Sequence, residues 1–298
     1  MTLVRSLALA VLVCCATLAA LLVACGSSKS SGGPSGDAAT DAIGPDGGGD
    51  SGSGTTGVGV VTFSELRDAQ GTFFAGFSET VPALAANCTA ADAGPCVTTS
   101  CTAVPASDSG ANDAATTVAP SAGTLTITGG IFGSKGAAVA PDKAGTYVYA
   151  SPSTIFAPGD TLGASATGGE VPAFPEQTVV ATPTIVLTAP VPGTGGKITI
   201  PTAEPLVVTW TGGQAGAMTV FTATAIFTTG GASSTSCSWD ASLGTGTVPS
   251  AALKPLAAAN AETSGVSWYQ SADSTFTVGT LAVTMSARVT QGSLASFQ

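Results

Sequence analysis

The stretch Lys197-Ile-Thr-Ile-Pro-Thr-Ala-Glu-Pro-Leu-Val-Val-Thr-Trp-Thr-Gly-Gly213 decides the fold. It holds two short runs rich in β-branched residues, Lys197–Ile200 and Leu206–Thr211, each closed by proline or glycine. Alternation places Leu206, Val208 and Trp210 on one face of the second run and Val207 and Thr209 on the other. A run that buries one face and wets the other belongs to a sheet covered on one side.

The same signature recurs on both sides. Upstream lie Val58–Phe63, Thr72–Phe77, Thr124–Thr128, Thr146–Ala150 and Thr178–Leu187; downstream lie Met218–Thr228, Thr235–Trp239 and Thr275–Val289. Turn residues interrupt these runs at short intervals, which predicts a sandwich rather than alternating strands and helices. Ser250–Asn260 is the one candidate helix, with Pro249 at its start and Pro255 limiting it to a turn or two. The fold class expected is all-β.

Strand runs of this kind, with a tryptophan on an early strand, resemble the immunoglobulin and fibronectin-III sandwiches. The resemblance is to an architecture and covers about 100 residues. It implies that Trp210 is buried between two sheets. Thr247-Val-Pro249 followed by Ala251–Leu256 also resembles a connection found in secreted bacterial Ig-like domains. The body from Val58 onward, about 240 residues, has room for one large all-β domain or two such sandwiches. We expect a β-rich N-terminal domain over 58–182 and an Ig-like domain over 183–298. The boundary is set by Pro183 and Pro190, after which a fresh strand pattern begins.

Composition narrows the function classes. The chain has 298 residues, a formal charge of −10, 9% charged residues and no histidine. The basic surplus of a nucleic-acid binder is missing. Every mechanism that needs histidine as base or metal ligand is excluded. So few charges do not suit long solvated helices.

The N-terminus reads MTLVRSLALAVLVCCATLAALLVAC. Arg5 precedes an apolar run from Leu7 to Val23, the pattern of a secretory signal. Leu22-Val23-Ala24-Cys25, followed by Gly26-Ser27-Ser28, resembles the lipobox of bacterial lipoproteins. The resemblance implies that residues 1–24 are removed and that the Cys25 thiol carries a diacylglycerol. The new amine is usually acylated as well. Each buried CH₂ then contributes about 0.8 kcal/mol, and two or three chains anchor stably. Gly26, in place of an aspartate there, implies an outer-membrane rather than inner-membrane destination within the cell envelope. The competing reading is an uncleaved anchor helix. Loss of Arg5 leaves 7 basic residues against 18 acidic ones, a net of −11.

Residues 25–57 form a Gly/Ser/Asp stretch in which Ile43 is the only large apolar side chain. It cannot bury enough surface to offset chain entropy and is expected to be a disordered tether. Its aspartates Asp37, Asp41, Asp46 and Asp50 do not follow the alternate-position spacing of a calcium loop.

The body carries Cys88, Cys96, Cys101 and Cys237, an even number in an exported chain and hence two disulfides. Three connectivities are open. We expect Cys88–Cys96 with Cys101–Cys237, the long bridge tying the halves together. The spacing matches no zinc motif.

Chemistry is hard to find. G-x-S-x-G, S-x-x-K and the P-loop are absent, and Gly195-Gly196-Lys197-Ile198 lacks the hydroxyl residue a P-loop needs. The expectation is no catalytic residues, no metal and no cofactor. Trp268 and Tyr269 are the candidate ligand-binding aromatics: adjacent strand residues face opposite ways, so one of the pair is exposed. The function expected is a non-catalytic structural or protein-interaction role at the envelope. The alternative is a carbohydrate- or polymer-binding module. An exposed aromatic strip would favour the sugar reading, and a convergent carboxylate pair an enzyme. A flat threonine-rich surface with an open sheet edge would favour a protein partner.

Overall fold

A computed structural model describes residues 56–66, 70–82, 84–103, 118–193, 195–228, 230–257 and 261–298. The signal segment, Cys25 and nearly all of the tether lie outside the described residues.

The protein is all-β. In chain order the first strands are β1 (Gly57–Leu66), β2 (Gly71–Ser78), β3 (Cys88–Ala93), β4 (Cys96–Cys101), β5 (Leu125–Thr128), β6 (Ala137–Val139), β7 (Tyr147–Ser151), β8 (Thr161–Ala166) and β9 (Phe174–Val180). Then follow β10 (Val186–Ala189), β11 (Lys197–Ile200), β12 (Leu206–Thr211), β13 (Met218–Phe227), β14 (Ala232–Asp240), β15 (Thr245–Val248), β16 (Ala261–Ser271), β17 (Ser274–Val278) and β18 (Leu281–Phe297). The candidate helix is a single turn, α1 (Ser250–Leu253), which continues as a 3₁₀ turn over Lys254–Leu256. Pro255 confines it, as expected.

These strands build two sandwiches. In the first, β17, the front half of β18, β1, β2 and β7 make one sheet, and β6-β5-β8-β9 make the other. Alternation carries the packing. Val61, Phe63, Phe73, Ala75 and Phe77 project from the first sheet onto Leu125, Ile127, Leu162, Ala164 and Phe174. Rings pack within and across the layer: Phe63 lies 5.1 Å from its cross-strand neighbour Phe73, and Phe174 lies 5.4 Å from Phe276 of the opposite sheet. Gly59 is required inside β1, because a Cβ there would sit 2.8 Å from the Phe77 ring. Tyr147 is fully buried and satisfied: its hydroxyl donates to the Gly123 carbonyl (2.9 Å) and accepts from Ala122 N–H (2.8 Å).

In the second sandwich, β10-β12-β15 faces a sheet ordered β3-β4-β14-β13-β16-β18, with β11 parallel to the end of β18. This is immunoglobulin-type order: β10 (A), β12 (B) and β15 (E) oppose β18 (G), β16 (F), β13 (C) and β14 (C′), and β11 is the part of the first strand that joins the other sheet. Leu206, Val208 and Trp210 point into the core while Val207 is 54% exposed, as the alternation required. The Trp210 indole N–H donates to the Ala241 carbonyl (2.8 Å), and its ring lies 5.8 Å from Trp239. The Trp239 ring occupies the space that a Cβ on Gly246 would take.

Strand β18 joins the two sandwiches. Residues 281–290 pair with β1 in parallel, and residues 291–294 pair with β16. Val283, Met285, Ala287 and Val289 line the first core and Ala295 lines the second, all on one parity of the strand. Each core thus draws on residues from both sides of position 182. The connection Ala181–Ile185 is bound down at this crossing. Thr182 Oγ1 donates to the Gln270 carbonyl (2.9 Å), Gln270 Nε2 donates to the Pro183 and Gly212 carbonyls, and Gln291 Nε2 donates to Ile185.

Candidate functional site

The four body cysteines form two disulfides, but not the expected pair: Cys88 bonds Cys101 and Cys96 bonds Cys237. The reason is a hairpin. Gly94, at φ 64°, opens a two-residue turn with Pro95 between β3 and β4. That turn places Cys88 directly opposite Cys101 and leaves Cys96 opposite Ala93, too close to the turn to reach Cys88. On its other side Cys96 lies opposite Cys237 on β14. The short bridge therefore closes the hairpin and the long one fastens it to the sandwich.

The two candidate aromatics part ways. Trp268 is 7% exposed and packs in the second core. Tyr269 points to the other face of β16, half-buried, with the Arg288 guanidinium 4.5 Å above its ring. One ring is thus inside, and the other is covered on one side by a cation.

The carboxylates serve local structure. Glu65 is buried and accepts the Ile155 (2.5 Å) and Phe156 (2.8 Å) N–H groups, closing the end of the first core. Asp142 accepts from Ala144 N–H (2.8 Å), Thr146 N–H (2.9 Å) and the Thr146 hydroxyl (2.9 Å). The Thr146 bonds, backbone first, hold its carboxyl below the usual carboxylate range. Asp240 is lowered likewise, by the Ser242 hydroxyl and then its N–H. Glu170 accepts from Ser121 N–H (2.9 Å) and Asp160 from Ala157 N–H (2.7 Å). Among the described residues, no three Asp, Glu, Cys or His side chains gather as metal ligands.

The outer faces of the sheets are hydroxyl-rich, although Thr222 itself is buried at 9% exposure. Across the large sheet, Thr99, Ser234 and Thr224 form one cross-strand row, and Val97, Ser236, Thr222 and Ser267 the next. The hydroxyls pair along these rows: Thr224 with Ser234 at 3.0 Å and Thr222 with Ser236 at 3.2 Å. The small sheet repeats the pattern with Val186, Thr188, Thr209, Thr211, Val207, Thr245 and Thr247, and Thr188 lies 2.8 Å from Thr209. Bordering the large face is β3, the last strand of its sheet, with Thr89, Ala90, Ala91 and Asp92 all exposed. In the sequence this hairpin shows only as a cluster of cysteines. Its signal was the Gly94-Pro95 pair, flanked on each side by six residues that end in cysteine.

No family model matches the chain, and no curated protein does. Among solved structures, it is similar to the crystal structure of a tetra-tandem repeat in the extending region of a large adhesion protein. The identity is 14%, covering 78% of this chain and 74% of that one, with a TM-score of 0.18. A score of that size carries no argument about fold or function.

Proposed function

We propose that this chain is a lipid-anchored cell-envelope protein that displays a stiff double β-sandwich, with a non-catalytic structural or protein-interaction role. Cys25 carries the lipid, the Gly/Ser/Asp tether holds the body off the membrane, and the outer membrane is its destination. The observation that carries the reading of the body is the shared strand. Because β18 belongs to both sandwiches, and Gln270 and Gln291 hold the connection between them, the two halves form one unit. Such a unit carries threonine- and serine-rich sheet faces and, among the described residues, an open sheet edge at β3. These are features of a surface that meets another macromolecule face to face or strand to strand.

The anchoring part is tested by Cys25→Ala. The account expects the variant to leave the detergent-soluble membrane fraction while the wild type stays in it. Continued anchoring of the variant would instead mean an uncleaved helix. The interaction part is tested by cross-linking on intact cells, with cross-linkable residues at Val207 and Thr99. Specific adducts to envelope proteins are expected. Adducts only to polysaccharide would overturn the protein-partner reading.

A further inference from the structure

We infer that the outer edge of β3, which no strand pairs with among the described residues, pairs with the β3 edge of a second copy of this chain, in an antiparallel two-fold arrangement centred on Ala90. The main-chain register shows which groups are free. Thr102 N–H donates to the Asn87 carbonyl (2.9 Å), so Asn87 and Thr102 form a bonded pair. Alternation along an antiparallel ladder then turns Thr89 and Ala91 toward β4, and turns the N–H and C=O of Ala90 and Asp92 outward. Cys88 N–H is taken by the Ala85 carbonyl, while its C=O faces the open side.

The edge lacks the usual guards. Cys88–Ala93 contains neither lysine nor proline, and its exposed side chains are small. Other free edges are shorter or protected. β6 has three residues, and β10 and β15 have four each; β11 begins at Lys197, and β9 carries Pro175 and Glu176. Both disulfides of the body hold this one hairpin, so it is ordered before any partner arrives.

Self-complementarity selects the occupant. In the two-fold register the two Ala90 residues exchange both main-chain bonds, and each Asp92 N–H meets the Cys88 carbonyl of the other copy. Asp92, the one charge on the strand, therefore lies opposite a disulfide rather than another aspartate. A two-fold contact needs no surface other than this one.

The test uses the full-length protein in detergent, so that it does not depend on how the chain is anchored. Sedimentation should show a monomer–dimer equilibrium that strengthens as salt rises from about 0.05 M to 0.5 M, because chains of charge −10 repel until screened. Ala90→Lys, which sets two ammonium groups opposite each other, should weaken dimerisation at least tenfold, as should Ala90→Pro, which deletes the outward N–H. A short bis-maleimide, which alkylates one thiol at each end, should capture dimers of Ala90→Cys and not of Thr245→Cys on the β15 edge. Three results would each overturn the pairing: a monomer at all concentrations, association that weakens with salt, or equal cross-linking at both positions.

Discussion

Replacing Gln270 by alanine should destabilise both sandwiches together. The Gln270 side chain is 1% exposed and ties two backbone segments at the crossing, the connection at Pro183 and the turn at Gly212–Gln214. Its Nε2 donates to the Pro183 carbonyl and the Gly212 carbonyl (3.2 Å), and its Oε1 accepts from Gln214 N–H (3.1 Å). Alanine strands these three main-chain groups and leaves a void. An unsatisfied buried group costs about 1–3 kcal/mol, and water can re-enter at part of the site, so the expected loss is about 3–5 kcal/mol. Gln270→Glu keeps the volume and the Gln214 bond but turns a carboxylate oxygen toward two carbonyls. Its loss should be smaller at low pH, where the protonated acid donates again, and should grow as pH rises. The assay is urea unfolding followed by two probes. Tryptophan fluorescence reports the second sandwich alone, since Trp210, Trp239 and Trp268 all lie there. Hydrogen exchange of β1 and β2 peptides reports the first. Both midpoints should fall in step. A loss below about 1 kcal/mol, or a shift of the fluorescence midpoint alone, would refute the claim that the crossing welds the two halves.

Two further outcomes concern the hairpin and a surface turn. Cys96→Ala with Cys237→Ala removes a bridge spanning 141 residues, and the chain-entropy relation gives a loss of up to about 5 kcal/mol in the urea-unfolding free energy; a loss under about 1 kcal/mol would mean that the bridge constrains nothing. Asp142→Ala should lower stability above about pH 5, where the carboxylate is ionised in both folded and unfolded chains. Because folding depresses the Asp142 pKa, the gap to wild type should narrow as pH falls through the folded value, and a gap that widens in acid would contradict the assigned bonds.

The elements legible in the sequence were those whose alternation is written in large side chains. Leu206–Thr211 announces a strand because Leu, Val and Trp mark the buried parity, and Val58–Phe63 does so by its β-branched content, with Val61 and Phe63 on the buried side. β8 (Thr161–Ala166) and much of β16 are built from Ala, Ser, Gly and Thr, which carry little pattern, yet β16 lies between β13 and β18 in the middle of a sheet. Such strands are held by neighbours on both sides rather than by their own propensity. Thr178–Leu187 was one run in sequence and is parts of two strands in the fold, because Ala181–Ile185 is fastened by side-chain bonds from Gln270 and Gln291, residues remote in sequence. Thr275–Val289 likewise divides at Gly279, whose φ of 57° makes the turn from β17 into β18. The disulfide pairing was legible in principle. A hairpin about Gly94-Pro95 fixes Cys88 opposite Cys101, whereas spacing alone left three connectivities. That Trp268 faces inward and Tyr269 outward follows from which side of β16 the second core occupies, a fact of assembly rather than of local sequence.

The central claim is that Cys25 becomes the lipid-bearing first residue of an envelope-anchored β body. Mass spectrometry of the N-terminal peptide, taken from the membrane-extracted protein, tests it most directly. The account predicts a peptide that begins at Cys25 and carries the added mass of a thioether-linked diacylglycerol. A peptide that still contains Arg5 and the apolar run, or one that begins after Cys25 without lipid, would contradict it.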